Sequence, residues 1–362
     1  MKMRPVPVLV PCMPSTDSLI GYLKRIEERK QYSNFGPLNA EFIDRLSAIS
    51  GIEVKGIATA ANATLALQGL ASTSGEAIQE TWYSPAWTFT ATASAFLQAR
   101  TNLKFVDVDG EGNAVYPEDA QFLIEVWPFG LRSRSSPLAP GVKRVIVDAA
   151  AGFDSIADFD FIDEVPTAVV VSLHATKLLG AGEGAFIITN DAAWAQRFRS
   201  WTNFGMDEDR ISKSLGTNAK LSEYSAAVAL ASLDLWKTTK SEFEVISRIA
   251  REISEKYNFL PYMSLSQNSI TPYWILKFNT IAEKEVFVEI AKELSIQLRE
   301  WWAQGCHEMP AYENVPHDFL TNTQEIASTT IGLPFHTSLE SEDWNRIEEL
   351  LNLWNHSIKF NK

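Results

Sequence analysis

Two apolar runs that end on reactive side chains constrain this chain more than any other feature. Residues 142–150 read VKRVIVDAA and residues 166–174 read PTAVVVSLH. A strand with one wet face alternates apolar and polar positions, so a run apolar throughout belongs to a central strand buried on both faces. Ligands in open α/β sheets gather at strand carboxyl ends. The first run delivers Asp148 there; the second delivers Ser172, followed by His174 and Lys177.

The surrounding text fits a sheet covered by helices. The pattern predicts strands near Lys55–Ala58, Thr81–Ser84, Leu103–Val106, Arg144–Val147, Thr167–Ser172 and Ala185–Thr189. Between them it predicts helices at Thr64–Ser72, Thr90–Ala99, Pro117–Ile124 and Ala192–Asn203. Two helices precede the first strand, over 15–30 and from about Ala40 to Ser50. Beyond a helix at Ser222–Trp236 the character changes to a smaller α+β unit. It holds a helix at Ser241–Tyr257, a strand at Pro272–Phe278, a helix at Ala282–Leu294 and a closing helix at Ser341–His356. The expected division is a large domain over 1–240 and a small one over 241–362, in keeping with a length of 362 residues.

Charge and cysteine content narrow the function. With 32 basic and 45 acidic residues the net charge is −13, and no Lys/Arg block offers a grip on phosphate backbones, which argues against nucleic-acid binding. Cys12 and Cys306 cannot build a disulfide scaffold, and with the five histidines they show no metal-ligating spacing. The segment Met1–Ser15 only faintly imitates a lipoprotein leader, being short and broken by Pro5, Pro7 and Pro11, and no run approaches a membrane span. A cytoplasmic protein is expected.

A carboxylate and a lysine at neighbouring strand ends admit three readings. They can form an ion pair or be unrelated solvated side chains. The lysine can serve a phosphate, but no G-x-x-x-x-G-K-[ST] occurs. Or the lysine forms a Schiff base with a carbonyl cofactor while Asp148 keeps a pyridine nitrogen protonated. The stretch Gly180–Ala185 formally satisfies G-x-G-x-x-[GA], yet a strand (Phe186–Thr189) follows where a dinucleotide fold needs a helix. The strand-to-helix junction Ala60–Leu67 puts Thr64 at the helix start, where free amides and a hydroxyl suit either an ordinary cap or a phosphate. Pro85–Phe89 is a second strand-to-helix junction, whose aromatics can be core or a face for a flat ring.

These pieces occur together and in order: NFGP (Asn34–Pro37), NATLAL (Asn62–Leu67), SPAWTFTAT (Ser84–Thr92), FVDVD (Phe105–Asp109), VDAA (Val147–Ala150), SLHATKLLGAGEGAF (Ser172–Phe186), GTNAKLSEYSAA (Gly216–Ala227) and LPFH (Leu333–His336). The series resembles the sugar aminotransferase family named for DegT, DnrJ, EryC and StrS, pyridoxal-phosphate enzymes of fold type I, across nearly the whole chain. The resemblance implies an α/β fold with a mostly parallel central sheet flanked by helices and a smaller C-terminal α+β domain. It implies pyridoxal 5'-phosphate as cofactor, Lys177 as the Schiff-base lysine and Asp148 as partner of the pyridine nitrogen. Phe89 would stack on the ring. Thr64, the amides of Ala63 and Thr64, and Ser172 would hold the phosphate. Asn218 matches an asparagine that reaches the phosphate of the neighbouring subunit, which implies a homodimer with composite sites. The implied reaction moves an amino group from L-glutamate to a keto group of a nucleotide-linked deoxysugar, with Asn34–Pro37 and Cys306–Tyr312 meeting the sugar.

Three positions depart from that pattern. Ala151 stands where the family usually has Gln or His, the glycine pair after Glu183 is reduced to Gly184-Ala185, and the crossover between Asp107 and Asp148 is trimmed around Trp127–Gly130. Competing expectations are a dehydratase or lyase on the same scaffold and a catalytically silent regulatory homologue. Relatives that dehydrate carry histidine in place of the lysine, so Lys177 favours transamination.

Overall fold

The structure is a computed structural model that describes residues 3–132, 138–157, 159, 161, 164–207, 209–259, 261–262, 265 and 269–360. Helix α1 (Thr16–Arg29) starts where the Ser15 hydroxyl oxygen accepts from the Ser18 amide, and α2 (Pro37–Ser50) begins on proline, whose missing N–H costs nothing at a helix start. There follow β1 (Ile57–Ala60), α3 (Ala63–Ser72), β2 (Thr81–Pro85), α4 (Thr90–Gln98), β3 (Asn102–Val106), β4 (Phe122–Val126), β5 (Arg144–Asp148), β6 (Thr167–Ser172), β7 (Ala185–Thr189) and α5 (Ala192–Thr202).

All seven strands form one sheet in the order β1-β7-β6-β5-β4-β2-β3. It is mostly parallel: only β7 runs against its neighbours, β1 and β6. Alternate residues of the central strands feed two different cores. Ile146, Ala168, Val170 and Ile187 pack on one face, and Val145, Val147, Val169, Val171 and Ile188 on the other. Burying one such aliphatic side chain contributes about 1.5–3 kcal/mol, so two dry faces explain why these strands read as continuous apolar runs.

The expected helix at Pro117–Ile124 is corrected. Its last three residues open strand β4, which pairs in parallel with both β2 and β5, and all five residues of the strand are buried. Pairing on both edges outweighs local helix propensity there. The two helices expected on either side of residue 240 are one, α6 (Glu223–Lys256), 34 residues long. The polar stretch between them holds neither glycine nor proline, so nothing in it stops a helix.

Beyond α6 come β8 (Trp274–Lys277), α7 (Ile281–Glu293), α8 (Thr321–Thr329), β9 (Thr330–Leu333) and α9 (Ser341–Phe360), with β8 and β9 antiparallel. They enclose a core of their own, which includes Phe243, Ile253, Trp274, Phe287, Ile331 and Leu351. The N-terminal segment belongs to this core too. Val6 is fully buried in it, its amide donates to Ser295 O at 2.9 Å, and its carbonyl accepts from Gln297 N at 2.9 Å.

Candidate active site

Asp148 is the last residue of β5 and Ser172 the last of the adjacent parallel strand β6. Both open on a cavity of about 810 Å³ at the carboxyl edge of the parallel strands. The Asp148 carboxylate is buried and accepts from Thr92 Oγ1 at 2.6 Å and from the Ala150 amide at 3.1 Å. Burial pushes its pKa above the ordinary carboxylate range, while the Thr92 and Ala150 hydrogen bonds and the charge of Lys177 pull the other way.

After Ser172 the chain makes a loop before returning as β7. The loop is closed by Ala175 N to Gly182 O at 3.0 Å and by Ala181 N to Leu173 O at 2.7 Å. Gly182 has φ +80°, a left-handed conformation that a side chain would strain, so the glycines here serve the reversal into β7. This loop presents Lys177 to the cavity. Its Nζ donates to the Tyr273 hydroxyl at 2.8 Å and makes no ion pair among the described residues. Tyr273 just precedes β8 in the C-terminal unit. Its ring is held between Phe129, 5.4 Å away, and Trp301, 4.9 Å away, while Trp302 stacks on Phe129 at 4.8 Å and 6°. Ala151 lies in the same apolar cluster. Beside Ala151 the chain thus builds an aromatic wall.

Helix α3 begins at Ala63. The Asn62 side chain accepts from the Leu65 amide at 2.9 Å, which leaves the amides of Ala63 and Thr64 facing the cavity without an intrahelical acceptor. Phe89, just before α4, is apolar yet 59% exposed over the same space. His174 also lines it; its Nδ1 lies 2.9 Å from Thr176 Oγ1 and its Nε2 3.8 Å from Glu183.

Six of the seven expected site residues thus share one cavity: Ala63, Thr64, Phe89, Asp148, Ser172 and Lys177. The seventh, Asn218, lies outside it, exposed and bridged through its backbone to Asn203. Neither segment expected to meet the sugar lines the cavity of a single chain. In the first, Gly36 leaves room for Glu223, whose carboxylate accepts from the amides of Leu38 and Asn39 at 2.8 and 2.9 Å and so caps α2. In the second, His307 is buried, and desolvation lowers its pKa. Sequence reasoning missed Tyr273, Trp301, Trp302, Arg299 and the N-terminal Val8 and Leu9, all of which line the cavity. The Trp301-Trp302 pair inside a polar stretch was the available signal; Tyr273 meets a lysine 96 positions away and gave none.

The architecture is that of the fold type I aminotransferases. Among solved structures, DesI, crystallised in the presence of its TDP-sugar product, superimposes with a TM-score of 0.83 at 28% identity, covering 98% of this chain and 94% of its own. PseC of Helicobacter pylori, an aminotransferase involved in the biosynthesis of pseudoaminic acid, shares the fold with a TM-score of 0.82 at 18% identity, covering 98% of this chain and 100% of its own. Within that class the chain belongs to the DegT/DnrJ/EryC1/StrS aminotransferase family, which it matches over residues 15–126 and 141–352. The interval left out, 127–140, includes Trp127–Gly130. A dTDP-4-amino-4,6-dideoxy-D-glucose transaminase from Shigella dysenteriae is 25% identical over 358 residues, or 94% of this chain and 96% of the relative.

The family implies pyridoxal 5'-phosphate, and the donor set fits it. A buried carboxylate with only two partners has lone pairs to spare for a protonated ring nitrogen. An amine free of carboxylates faces the same space, and the open amides at the start of α3 suit a phosphate in a chain of net charge −13.

Proposed function

We propose that this chain is a homodimeric, pyridoxal-phosphate-dependent transaminase that moves an amino group from L-glutamate to a keto group of a nucleotide-linked deoxysugar in the cytoplasm. The convergence of Lys177 and Asp148 in one cavity, with Lys177 held by a phenol rather than by an acid, is the observation that carries the reading.

When bound, the cofactor supplies a carbonyl that condenses with amines and a ring that takes up negative charge from the reacting carbon. The chain's residues do the rest. The Asp148 carboxylate would accept a hydrogen bond from the ring nitrogen and keep it protonated. The amides of Ala63 and Thr64, with the hydroxyls of Thr64 and Ser172, would hold the phosphate, and Phe89 would cover the ring. Lys177 Nζ is the amine that would bond the cofactor carbonyl, and as a free amine it would accept the proton leaving the donor Cα. Tyr273 keeps that amine in place: its hydroxyl accepts from an ammonium and donates to a neutral amine, so the contact persists through both protonation states. Asn218, exposed on this chain, reaches the phosphate of the second subunit. Within residues 1–240, the part beyond the N-terminal segment forms the cofactor domain; residues 241–362, joined by that segment through Val6, form its smaller cover, which contributes Tyr273 and Trp301.

The test is borohydride reduction of the chain loaded with pyridoxal phosphate, followed by peptide mapping. The label is expected on Lys177 and is absent from Lys177→Ala. L-glutamate with nucleotide-linked 3-keto and 4-keto deoxysugars is expected to yield 2-oxoglutarate and an aminated sugar nucleotide. A label elsewhere, or turnover of sugar nucleotide without loss of amino donor, refutes the proposal.

A further inference from the structure

Among the described residues that line the cavity, the cations are Lys177 and Arg299. Lys177 is engaged by Tyr273. Arg299 has neither an ion pair nor a side-chain hydrogen bond among the described residues. The adjacent Glu300 pairs with Lys284 at 2.7 Å. The carboxylates that line the cavity beside these cations are Glu183, 3.8 Å from His174, and Asp148, which accepts from Thr92 at 2.6 Å.

Its position is built. Arg299 N donates to Gly332 O at 3.0 Å and Gly332 N donates to Arg299 O at 2.8 Å, which adds the residue to the free edge of β9. The guanidinium lies over Trp301, 5.1 Å from the ring centre, and that indole rests against Gly332 so closely that a Cβ there would fall 2.2 Å from its Nε1. The same indole meets Tyr273 edge to face at 4.9 Å, and Tyr273 holds Lys177. One indole and one phenol separate the guanidinium from the reacting amine. A guanidinium resting on an aromatic face keeps its edge donors free, and their fixed fork matches a carboxylate or phosphate oxygen pair.

We infer that Arg299 is the oxyanion anchor of the cavity, binding either a carboxylate of the amino donor or the diphosphate of the sugar nucleotide. The inference rests on the transaminase reading above and adds the residue that recognises the substrate's negative end.

Succinate and thymidine diphosphate serve as separate probes of the two anions, titrated against the cofactor-free chain by calorimetry. Replacing the guanidinium in Arg299→Gln is expected to weaken one probe about tenfold or more while the other stays within about twofold, and Arg299→Lys is expected to recover part of the loss. Selective loss of succinate assigns the donor carboxylate; selective loss of thymidine diphosphate assigns the acceptor; loss of both assigns a shared anchor. Wild-type chain that binds neither probe, or Arg299→Gln that binds both as wild type does, overturns the inference. Keto-acid release from L-glutamate by the loaded wild type is read separately. If release is absent while the probes still depend on Arg299, the transaminase reading fails and the anchor stands. If release is normal while Arg299→Gln binds like wild type, the anchor fails and the reading stands.

Discussion

Thr92→Val isolates what keeps a buried carboxyl chargeable in this cavity. Valine keeps the shape and removes the hydroxyl. Thr92 Oγ1 donates to Asp148 Oδ2 at 2.6 Å, and with its one proton so used it accepts from Thr88 Oγ1 at 2.9 Å; all three residues are buried. Loss of a hydrogen bond to a charged group costs about 1.5–3 kcal/mol, against about 0.5–1.5 kcal/mol for a neutral one. The ionised form of Asp148 therefore suffers by roughly 1–1.5 kcal/mol more than the protonated form, which lifts its already raised pKa further. The stranded Thr88 hydroxyl adds roughly 1 kcal/mol at every pH. A carboxyl whose folded pKa lies above its unfolded value holds protons more tightly when folded. Its contribution to stability is present in acid and is lost as pH rises through the raised pKa. The deficit of Thr92→Val relative to wild type should accordingly be smallest in acid, grow with pH and level off above the variant's pKa. Urea unfolding of the cofactor-free chain, followed by tryptophan fluorescence at a series of pH values, measures it. A deficit that is constant with pH, or that shrinks as pH rises, would show that Thr92 does not stabilise the Asp148 charge.

Tyr273→Phe retains the ring contacts with Phe129 and Trp301 and removes only the hydroxyl on Lys177. It should lower kcat by about a hundredfold with little change in donor KM and in thermal stability, as steady-state kinetics and a melting curve will show. Glu223→Ala leaves the buried amides of Leu38 and Asn39 without an acceptor and should cost about 1–3 kcal/mol in chemical denaturation, with Glu223→Gln recovering part of it. Burial pushes the Cys306 thiol up to about 12. A thiol-specific disulfide reagent at neutral pH should thus titrate Cys12 in the native chain and both cysteines only after denaturation.

What the sequence determined by itself follows from local rules. Runs such as AVVVS are legible because a strand dry on both faces needs apolar residues at every position, and Asp148, Ser172 and Lys177 stand out because each interrupts or follows such a run. Ala63 and Thr64 are legible as a helix start, a property of a few adjacent residues. Strand β4 was misread as helix because its short apolar run has no distinctive period, and its strand state comes from the two partners that flank it. The unbroken course of α6 was missed because Lys237–Lys240 carries no apolar period, although nothing in it stops a helix. Only the tertiary structure decided how the cavity is walled. Tyr273, Trp301 and Arg299 come from the C-terminal unit, and Val8 and Leu9 from the other end of the chain. No spacing rule links these residues to Lys177, because their contacts are made by the packing of one core against another.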